Sequence, residues 1–460
     1  MRCWLGAALL LACPAVAQAQ QVAKPLDIQP VPHRPIAGGF TLATAGDLIY
    51  LRAMLPTIAA QAPDMLALLR DADLTFGNFE TNILDLSHFA GSPQAESGGT
   101  WMFGAPGVPA DVRAMGFDLV GMANNHGTDW GVEGMLETTR RLDEAGIVHA
   151  GADRNLSAAR APRYLDMAKG RIGLVAATTS FTPMSRAADP IGEVPGRPGV
   201  NALRTLRTTL IPAEQIEPLA RVAAAIGGGA RHDGATVELS GIRYRASPDG
   251  KPGLSYALNP ADLQANLRSI RQAHENGNFT IFSLHNHEPG NPSQTPADFA
   301  GPLAHAAIDA GADVVVGHGP HQVRGIEIYK GRPIFYSLGN FAMMNNSLDQ
   351  IPADMYDQYG VAPATDVTAP ELVFARNAQA YANPLFLESV IATSRFVDGA
   401  VAEIRLYPLD LGSTEKGAGR GVPRLADAQV GRRVLERLQA LSAPFGTRIM
   451  IEKGVGVIRP

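Results

Sequence analysis

Cysteine is almost absent from this chain: among its 460 residues only Cys3 and Cys13 are cysteines, and both precede residue 14. They lie in a stretch typical of a secretory leader, with Arg2 first, an apolar run from Leu5 to Ala12 and small residues up to Ala19. If cleavage follows Ala19, the mature protein has no thiol. That excludes disulfides and cysteine-ligated metals.

We predict that residues 1–19 form this leader and that the protein is exported to the periplasm or the extracellular space. The apolar run is too short to span a membrane, and we expect no transmembrane helix in the mature chain. The sequence Leu10-Leu11-Ala12-Cys13 also resembles a lipoprotein cleavage box, so a form anchored at Cys13 is the alternative. Pro14, directly after that cysteine, favours free export.

Charge is also sparse. Asp, Glu, Lys and Arg make up 18% of the chain, the net charge is −5, and no stretch gathers Lys and Arg densely. This composition argues against a nucleic-acid-binding protein. The hydrophobic share of 46% is typical of a folded globular protein. A chain of this length can bury one large core, or a core and a smaller module.

Apolar strand-like runs alternate with helical segments from about residue 40, and polar side chains follow the strand ends. This order is typical of a layered α/β domain that binds its ligands at the carboxyl ends of its strands. Five predicted strands end in this way, at Asp47; at Asn78 and Glu80; at Asn125 and His126; at His285 and His287; and at His318 and His321.

The stretch from Val314 to Phe341 shows the pattern best. Its first strand runs into Gly317-His318-Gly319-Pro320-His321, where glycine and proline prevent both a helix and a continued strand. The loop can therefore turn both imidazoles toward one point. Taken singly, each polar residue at a strand end has an ordinary interpretation as a turn former, a helix cap or a core histidine. Their joint placement predicts a site.

Carboxylate, amide and imidazole ligands without sulfur favour Mn²⁺, Zn²⁺ or Fe over Mg²⁺ or Ca²⁺, and the residues suffice for one or two divalent ions. Two ions about 3.5 to 4 Å apart would clamp a phosphoryl oxygen. We expect His126, next to Asn125, to act as general acid, with Asp129 holding its ring. The remaining histidines are interpreted as solvated or structural: His33, His88, His149, His232, His274 and His305.

Six short motifs follow one another along the chain. They are Gly46-Asp47, Asn78 to Glu80, Asn124 to Gly131, His285 after a strand, Gly317 to His321, and Tyr336 to Phe341. In this order they resemble the motifs of the CapA family of bacterial capsule synthesis, a family linked to poly-γ-glutamate and similar to calcineurin-like metallophosphoesterases. The match runs from about Phe40 to Phe341.

The resemblance implies an α/β fold of four layers, an α-β-β-α sandwich of the metallophosphoesterase type with a C-terminal hairpin and helix. It also implies metal ligands at Asp47, Glu80, Asn125, His285, His318 and His321 and the catalytic pair His126 and Asp129.

Three departures from the family patterns stand out. Ile49 occupies the place of a phosphoesterase histidine, which makes a single-ion site an alternative to a pair. His318 and His321 are three residues apart instead of two, so one of them is a candidate for binding substrate. His285-Asn286-His287 replaces the family's His-Trp-Gly, which makes His287 a candidate replacement ligand. Asn78 is a further candidate ligand, and Arg324 and Arg197 are candidate contacts for an anionic substrate.

We therefore predict six segments: a leader at 1–19, an extended linker at 20–38, a CapA-like metallophosphoesterase domain at 39–345, an insertion in it at about 180–257, a long loop or lid at 346–384, and a closing hairpin, helix and strand at 385–460.

The predicted function is that of an exported metal-dependent hydrolase-like protein acting on a phosphoester or amide of an anionic envelope polymer, with capsule-assembly membrane proteins as candidate partners and no nucleic acid. A non-catalytic accessory protein that binds or exports the polymer, and a secreted phosphatase or phosphodiesterase unrelated to capsule, are the alternatives.

Overall fold

The computed structural model describes residues 29, 31–94, 101–226, 234–345, 348–362, 366–415 and 417–460. The predicted leader, residues 1–19, lies outside this part of the chain. Contacts divide the chain into Met1–Pro32 and a unit from His33 to Pro460. The fold described below is that of the second unit.

The first part of this unit alternates strands with helices, and three of its longer strands, at 39–49, 74–79 and 170–178, are buried over most of their length because both of their faces are covered. The elements are β1 (Gly39–Ile49), α1 (Leu55–Gln61), α2 (Pro63–Arg70), β2 (Leu74–Phe79), β3 (Asn82–Ile83), β4 (Phe103–Gly104), α3 (Val108–Met115), β5 (Leu119–Gly121), α4 (Gly131–Glu144), β6 (Val148–Ala150), β7 (Ala152–Asp153), α5 (Leu156–Arg160), β8 (Arg163–Met167) and β9 (Gly170–Thr178).

The middle and end of the chain continue the alternation after a short run of strands. The elements are β10 (Gly199–Val200), β11 (Thr205–Ile211), α6 (Ile216–Ile226), β12 (Thr236–Leu239), β13 (Ile242–Ala246), β14 (Gly253–Leu258), α7 (Pro260–Asn276), β15 (Phe279–His285), α8 (Ala300–Asp309), β16 (Val314–His318), β17 (Ile326–Tyr329), β18 (Arg332–Phe335), β19 (Asn340–Met343), α9 (Ala353–Gln358), α10 (Ala369–Ala380), β20 (Glu388–Val397), β21 (Ala400–Asp410), β22 (Arg424–Leu425), α11 (Ala428–Ser442), β23 (Met450–Glu452) and β24 (Val455–Ile458).

Two large sheets form the centre of the unit. The first has the strand order β23-β24-β21-β20-β1-β2-β5-β6, with β19 beside β1 and β22 beside β21. The second has the order β17-β18-β16-β15-β9-β8. Strands β1, β2, β5 and β6 are parallel to one another, and so are β9, β15, β16 and β18. Each sheet therefore gathers several carboxyl strand ends along one edge.

Three apolar clusters show how the layers stack. One lies between the sheets, where Phe76 of the first sheet and Ile281 of the second belong to the same buried cluster. A second packs α1 to α4 on the outer face of the first sheet, and a third packs α7 and α8 on the outer face of the second sheet. The resulting order of helices, sheet, sheet and helices confirms the predicted four-layer α/β sandwich.

Two segments differ in detail from the prediction. The region predicted as an insertion, about 180–257, contains most of a four-stranded sheet of its own, β12-β13-β11-β14, with α6 packed on it. The region predicted as a long loop contains α9 and α10, so it is not loop throughout. Helix α10 has a reciprocal cap, in which Thr368 and Glu371 each bond the other's backbone N–H.

The end of the chain adds an antiparallel edge to the first sheet. Strands β20 and β21 form the predicted hairpin, and Asp398 and Gly399 at its turn both have positive φ. Helix α11 then packs against β21. Among the described residues, no helix combines the length and the apolar character needed to cross a membrane.

Candidate metal centre

The polar strand ends of both sheets meet at one edge of the sandwich because the strands are in register there. Asp47 pairs with Asn78 on β2, and His285 pairs with His318 on β16. The first sheet therefore contributes carboxylate and amide groups, and the second contributes imidazoles. All four of these side chains are fully buried.

Gly46 and Gly339 belong to two motifs that pass very close to each other beside Asp47. A Cβ on Gly46 would lie 1.7 Å from the carbonyl oxygen of Gly339, so only glycine allows these two segments to approach. The backbone N–H of Asp47 donates to that same oxygen at 3.1 Å. This contact joins the first strand to the motif Tyr336 to Phe341.

Asp47 lies at the centre of the buried group. Its Oδ1 accepts a hydrogen bond from Asn78 Nδ2 at 2.7 Å, and its Oδ2 accepts one from the backbone N–H of Gly319 at 3.1 Å. The Nδ1 atoms of His318 and His321 lie 3.7 and 3.6 Å from its two oxygens. Burial alone would raise the pKa of Asp47, but these imidazoles and hydrogen bonds hold it below its usual value.

Glu80 has no hydrogen-bond partner for either carboxylate oxygen among the described residues, although the side chain is fully buried. Nε2 of His285 lies 3.7 Å from its Oε1. Burial raises the pKa of Glu80 well above its usual value, and the charges of Asp47 and Asp129 raise it further. A buried carboxylate without partners is unfavourable unless a cation compensates it.

The second sheet brings three imidazoles into mutual contact around His285. Its Nδ1 lies 3.0 Å from Nδ1 of His318, and its Nε2 lies 3.0 Å from Nε2 of His287 and 2.7 Å from Oδ1 of Asn125. Burial, followed by neighbouring charges, lowers the pKa of His285 well below its usual value and that of His287 to about 3. Burial also lowers the pKa of His318 to about 4. At neutral pH these rings are therefore neutral and have lone pairs available for a metal.

Three further side chains fix the orientation of the rings of His318, His287 and His321. Ser283 Oγ lies 2.7 Å from Nε2 of His318, Asn291 Oδ1 lies 2.6 Å from Nδ1 of His287, and Asn340 Oδ1 lies 3.0 Å from Nδ1 of His321. Each bond leaves the other nitrogen of its ring for the site, as is usual around metal-bound histidines. The sequence analysis did not single out any of these three partners.

The buried residues fit a metal ion. One potential ligand atom from each member lies within 4.8 Å of the others in three overlapping sets: Asp47, His285 and His318; Glu80, His285 and His287; and Asp47, Glu80 and His321. Sets that share ligands are the arrangement expected for two adjacent ions, although a single ion can use any one set. Nitrogen and oxygen donors without sulfur suit Zn²⁺, Mn²⁺ or Fe.

His126 and Asp129 lie beside this cluster. His126 Nδ1 donates to Asp129 Oδ2 at 2.6 Å, and the same oxygen accepts the backbone N–H of Met102 at 3.0 Å. Burial raises the pKa of Asp129, and the adjacent His126 opposes that rise. The ring is held by Nδ1, so Nε2 is the nitrogen left for a substrate.

A cavity of about 270 Å³ lies over His126, His287 and His321. Its remaining walls carry neutral groups, and none of the lining residues is a lysine or an arginine. They are Ile49, Met102, Asn125, Ser180, Phe181, Thr182, Asn291, Asn345 and Tyr381. Arg376, on α10, stacks over the Tyr381 ring at 4.9 Å.

Comparison with known proteins gives the family. A model of the bacterial capsule synthesis protein PGA_cap matches residues 41–345. This chain belongs to the PGA_cap family. The match confirms the resemblance stated from the six motifs.

Among the relatives of this PGA_cap chain, an uncharacterized protein of Sinorhizobium fredii, y4uA, is 48% identical over 92% of this chain and 94% of its own length. The capsule biosynthesis protein CapA of Bacillus anthracis is 26% identical over 73% of this chain and 66% of its own length. A solved phosphatase from Mycoplasma pneumoniae covers 83% of this chain and 98% of its own, with 11% identity and a TM-score of 0.38. This last similarity is too low to support an argument.

The residues at which the chain departs from the family motifs also lie in or beside this cluster. His287 lies within the cluster, where the replaced His-Trp-Gly motif suggested a ligand, and Asn78 bridges Asp47 and His285, with its Nδ2 3.3 Å from the latter's Nδ1. Ile49 lines the cavity without offering a ligand atom. His321 belongs to one of the potential ligand sets and also lines the cavity.

Arg324, predicted as a candidate contact for an anionic substrate, is fully buried and is not among the residues that line the cavity. Its guanidinium donates to Ser293 O at 3.2 Å and to Asn286 Oδ1 at 3.3 Å. It therefore braces the loop that carries His287. Arg197 donates to the backbone oxygen of Arg186 at 2.8 Å and does not line the cavity either.

Proposed function

We propose that this PGA_cap chain is an exported, metal-dependent hydrolase that acts during synthesis of a capsule or another anionic envelope polymer. The bond cleaved would be a phosphodiester, with an amide such as that of poly-γ-glutamate as the other candidate. Export is supported by the leader-like first 19 residues. The observation that carries the hydrolase proposal is the unpartnered Glu80 carboxylate among neutral imidazoles, next to the paired His126 and Asp129.

Each side chain has a role in this proposal. Asp47, Glu80, Asn125, His285, His318 and His321 would hold one or two divalent ions, with His287 as a further ligand. A bound ion would polarise the scissile group and lower the pKa of a water molecule. Asp129 accepts a hydrogen bond from Nδ1 of His126, which leaves Nε2 as the nitrogen for proton transfer. That ring can then donate its Nε2 proton to the leaving oxygen.

The cavity favours a diester over a monoester. Its lining residues include no lysine or arginine to balance a second negative charge on a phosphomonoester. At about 270 Å³ it has room for the scissile group and its immediate neighbours, while the rest of a polymer would lie outside. Asn291 and Asn345 can form hydrogen bonds with a substrate without adding charge.

The proposal is tested by measuring metal content together with turnover of an aryl phosphodiester, an aryl phosphomonoester and a γ-glutamyl anilide. We expect wild type to cleave the diester fastest of the three. We also expect His126→Ala to lose at least 100-fold in kcat at unchanged metal content. His88→Ala is the matched control, because His88 also pairs with an aspartate three residues away, Asp85 at 2.9 Å, but is exposed.

One result would contradict hydrolysis, and another would contradict the role given to His126. Wild type that binds metal but turns over none of the three probes would favour the non-catalytic role in polymer binding or export. Equal rates for wild type and His126→Ala would show that His126 is not the general acid. Turnover of the monoester above the diester would instead favour the secreted phosphatase unrelated to capsule.

A further inference from the structure

Two histidines and an aspartate form a second cluster at the opposite edge of the sandwich. His33 lies in the segment before β1, His274 lies in the last turns of α7, and Asp313 immediately precedes β16. One potential ligand atom from each lies within 4.8 Å of the others. Asp313 precedes β16 and His318 ends it, and at about 3.3 Å per residue their backbones lie roughly 16 Å apart.

Two imidazole nitrogens in this cluster are buried and have no hydrogen-bond partner among the described residues: Nε2 of His33 and Nδ1 of His274. Nδ1 of His33 lies 3.0 Å from the carbonyl oxygen of His274, so this nitrogen must donate its proton. This contact fixes the tautomer of the neutral ring, in which the lone pair lies on Nε2. A histidine held by a backbone carbonyl on one nitrogen, with the other free, has the usual form of a metal ligand.

Asp313 supplies the negative charge. It is 1% exposed, its Oδ2 accepts the backbone N–H of Thr280 at 2.8 Å, and its Oδ1 lies 3.3 Å from Nε of Arg332. Arg332 is the side-chain cation paired with Asp313 among the described residues. It is partly exposed, so it can swing away when another cation arrives.

We propose that His33, His274 and Asp313 bind a divalent transition-metal ion, with Zn²⁺ best suited to the two imidazoles and one carboxylate, and that the ion fastens the segment before β1 to the second sheet. Three protein ligands leave the fourth tetrahedral position for water. The rings of His33 and His274 are stacked at 3.6 Å and 18°, so they must tilt apart for both nitrogens to reach one ion.

The site would have a structural role. The backbone carbonyl of Arg34 already accepts a hydrogen bond from Asn278 at 2.7 Å, and Ile36 is buried in the cluster between the sheets. A metal at His33 would add a third attachment to the same short segment. It would hold the segment in place without touching the cavity at the other edge.

The test measures zinc bound per chain after chelation and titration with Zn²⁺, together with the melting temperature. His33→Gln removes one ligand from a segment outside the helices and strands, so we expect it to fold and to bind one zinc fewer than wild type. His305→Gln is the matched control, because His305 is also stacked, on Tyr329 at 3.9 Å, and lies outside both clusters. Arg332→Gln removes the competing cation and should bind zinc more tightly than wild type.

A double variant, Asp47→Ala with His285→Ala, separates this inference from the proposed function. It removes at least one ligand from each of the three sets of the first cluster, so the one zinc that it retains should be lost when His33→Gln is combined with it. The inference is overturned if His33→Gln binds as much zinc as wild type and His305→Gln do, or if the double variant binds none. Failure of the phosphodiester assay would leave these stoichiometries unchanged, because His33 has no part in turnover.

Discussion

Glu80→Gln should make the metal-free protein more stable and the metal-bound protein less stable. Without metal, the buried carboxylate of Glu80 has no hydrogen-bond partner among the described residues and lies near Asp47 and Asp129, which raise its pKa. The folded protein must either keep this charge buried or take up a proton. Glutamine has nearly the same shape and needs neither.

The free energy needed to protonate Glu80 sets an upper limit to the stability that Glu80→Gln can gain. Protonating a carboxyl group with an ordinary pKa of 4.5 at pH 7 costs about 3.5 kcal/mol, at about 1.4 kcal/mol per pKa unit. We therefore expect Glu80→Gln to stabilise the chelated protein by about 1 to 3.5 kcal/mol. For a unit of roughly 430 residues, 1 kcal/mol corresponds to about 1 °C in Tm. The expected rise is thus about 1 to 4 °C.

The pH dependence follows from the direction of the shift. Because the pKa of Glu80 is raised in the fold, the folded state binds more protons than the unfolded state, and its stability falls as pH rises. The gap between Glu80→Gln and wild type should therefore open above pH 4.5 and widen toward the raised pKa. Thermal melts in chelator from pH 5 to pH 8 measure it.

Glu388 provides the matched control. It is also buried, but its oxygens accept hydrogen bonds from Arg433 at 2.5 Å and Arg437 at 2.8 Å. Glu388→Gln should therefore lower Tm, because it weakens the charged hydrogen bonds that Arg433 and Arg437 make to this buried side chain. A chelated Glu80→Gln protein that melts at or below wild type across this pH range would refute the reasoning. So would a variant that gains as much stability from added Mn²⁺ or Zn²⁺ as wild type does.

Three further outcomes follow from single contacts. Ser283→Ala removes the 2.7 Å partner of His318 Nε2 and should weaken metal binding by about 10- to 100-fold in a chelator competition, without unfolding the protein. Asp262→Asn should destabilise the fold at neutral pH, and this loss of stability should shrink as pH falls. Burial opposes ionisation of Asp262, but the hydrogen bond from Arg204 at 2.6 Å keeps the pKa of Asp262 below its usual value, so its contribution is lost as pH falls through that lowered pKa. Tyr381→Ala should raise KM for a diester by about 2- to 10-fold at constant metal content, because the cavity loses an aromatic wall.

The location of the candidate site was predictable because it depends on a rule about strands. Residues that follow parallel strands meet at one edge of a sheet, so Asp47 and Glu80 could be placed near each other without coordinates. The facing of the two sheets, which brings His285 to those carboxylates, came from the family resemblance. Periodicity alone does not show which edges meet.

The residues that orient the ligands were not predicted. Ser283 precedes His285 by two positions on β15, so both side chains face the same side of the strand, and this spacing was the available signal. Asn340 lay within a quoted motif but had no assigned role. A hydrogen bond to Nε2 of His318 or to Nδ1 of His321 depends on ring orientation, which a sequence does not specify.

The prediction of a loop after residue 345 overlooked a local helix signal. Thr368, Pro370 and Glu371 together are a recognisable helix start, with a cap, a proline in the first turn and the capping-box glutamate. The helix that follows mixes buried Leu372 with exposed Phe374 and has no clean apolar face. Its amphipathic pattern was therefore weak, although its carboxyl end places Tyr381 in the cavity wall.

The metal ligands of the first cluster come from both sheets, so a bound ion would join the two sheets and stabilise the fold. The carboxylates belong to the first sheet and the imidazoles to the second, and between the clusters the two sheets are joined by apolar contact. An ion at the first cluster would link Asp47 to His318 across the sandwich, and an ion at the second would link the segment of His33 to the start of β16. Binding to the folded state alone stabilises it by about 2.7 kcal/mol at 100 times the dissociation constant. Metal at either edge would therefore resist separation of the same two layers, and chelation would weaken the sandwich from both ends.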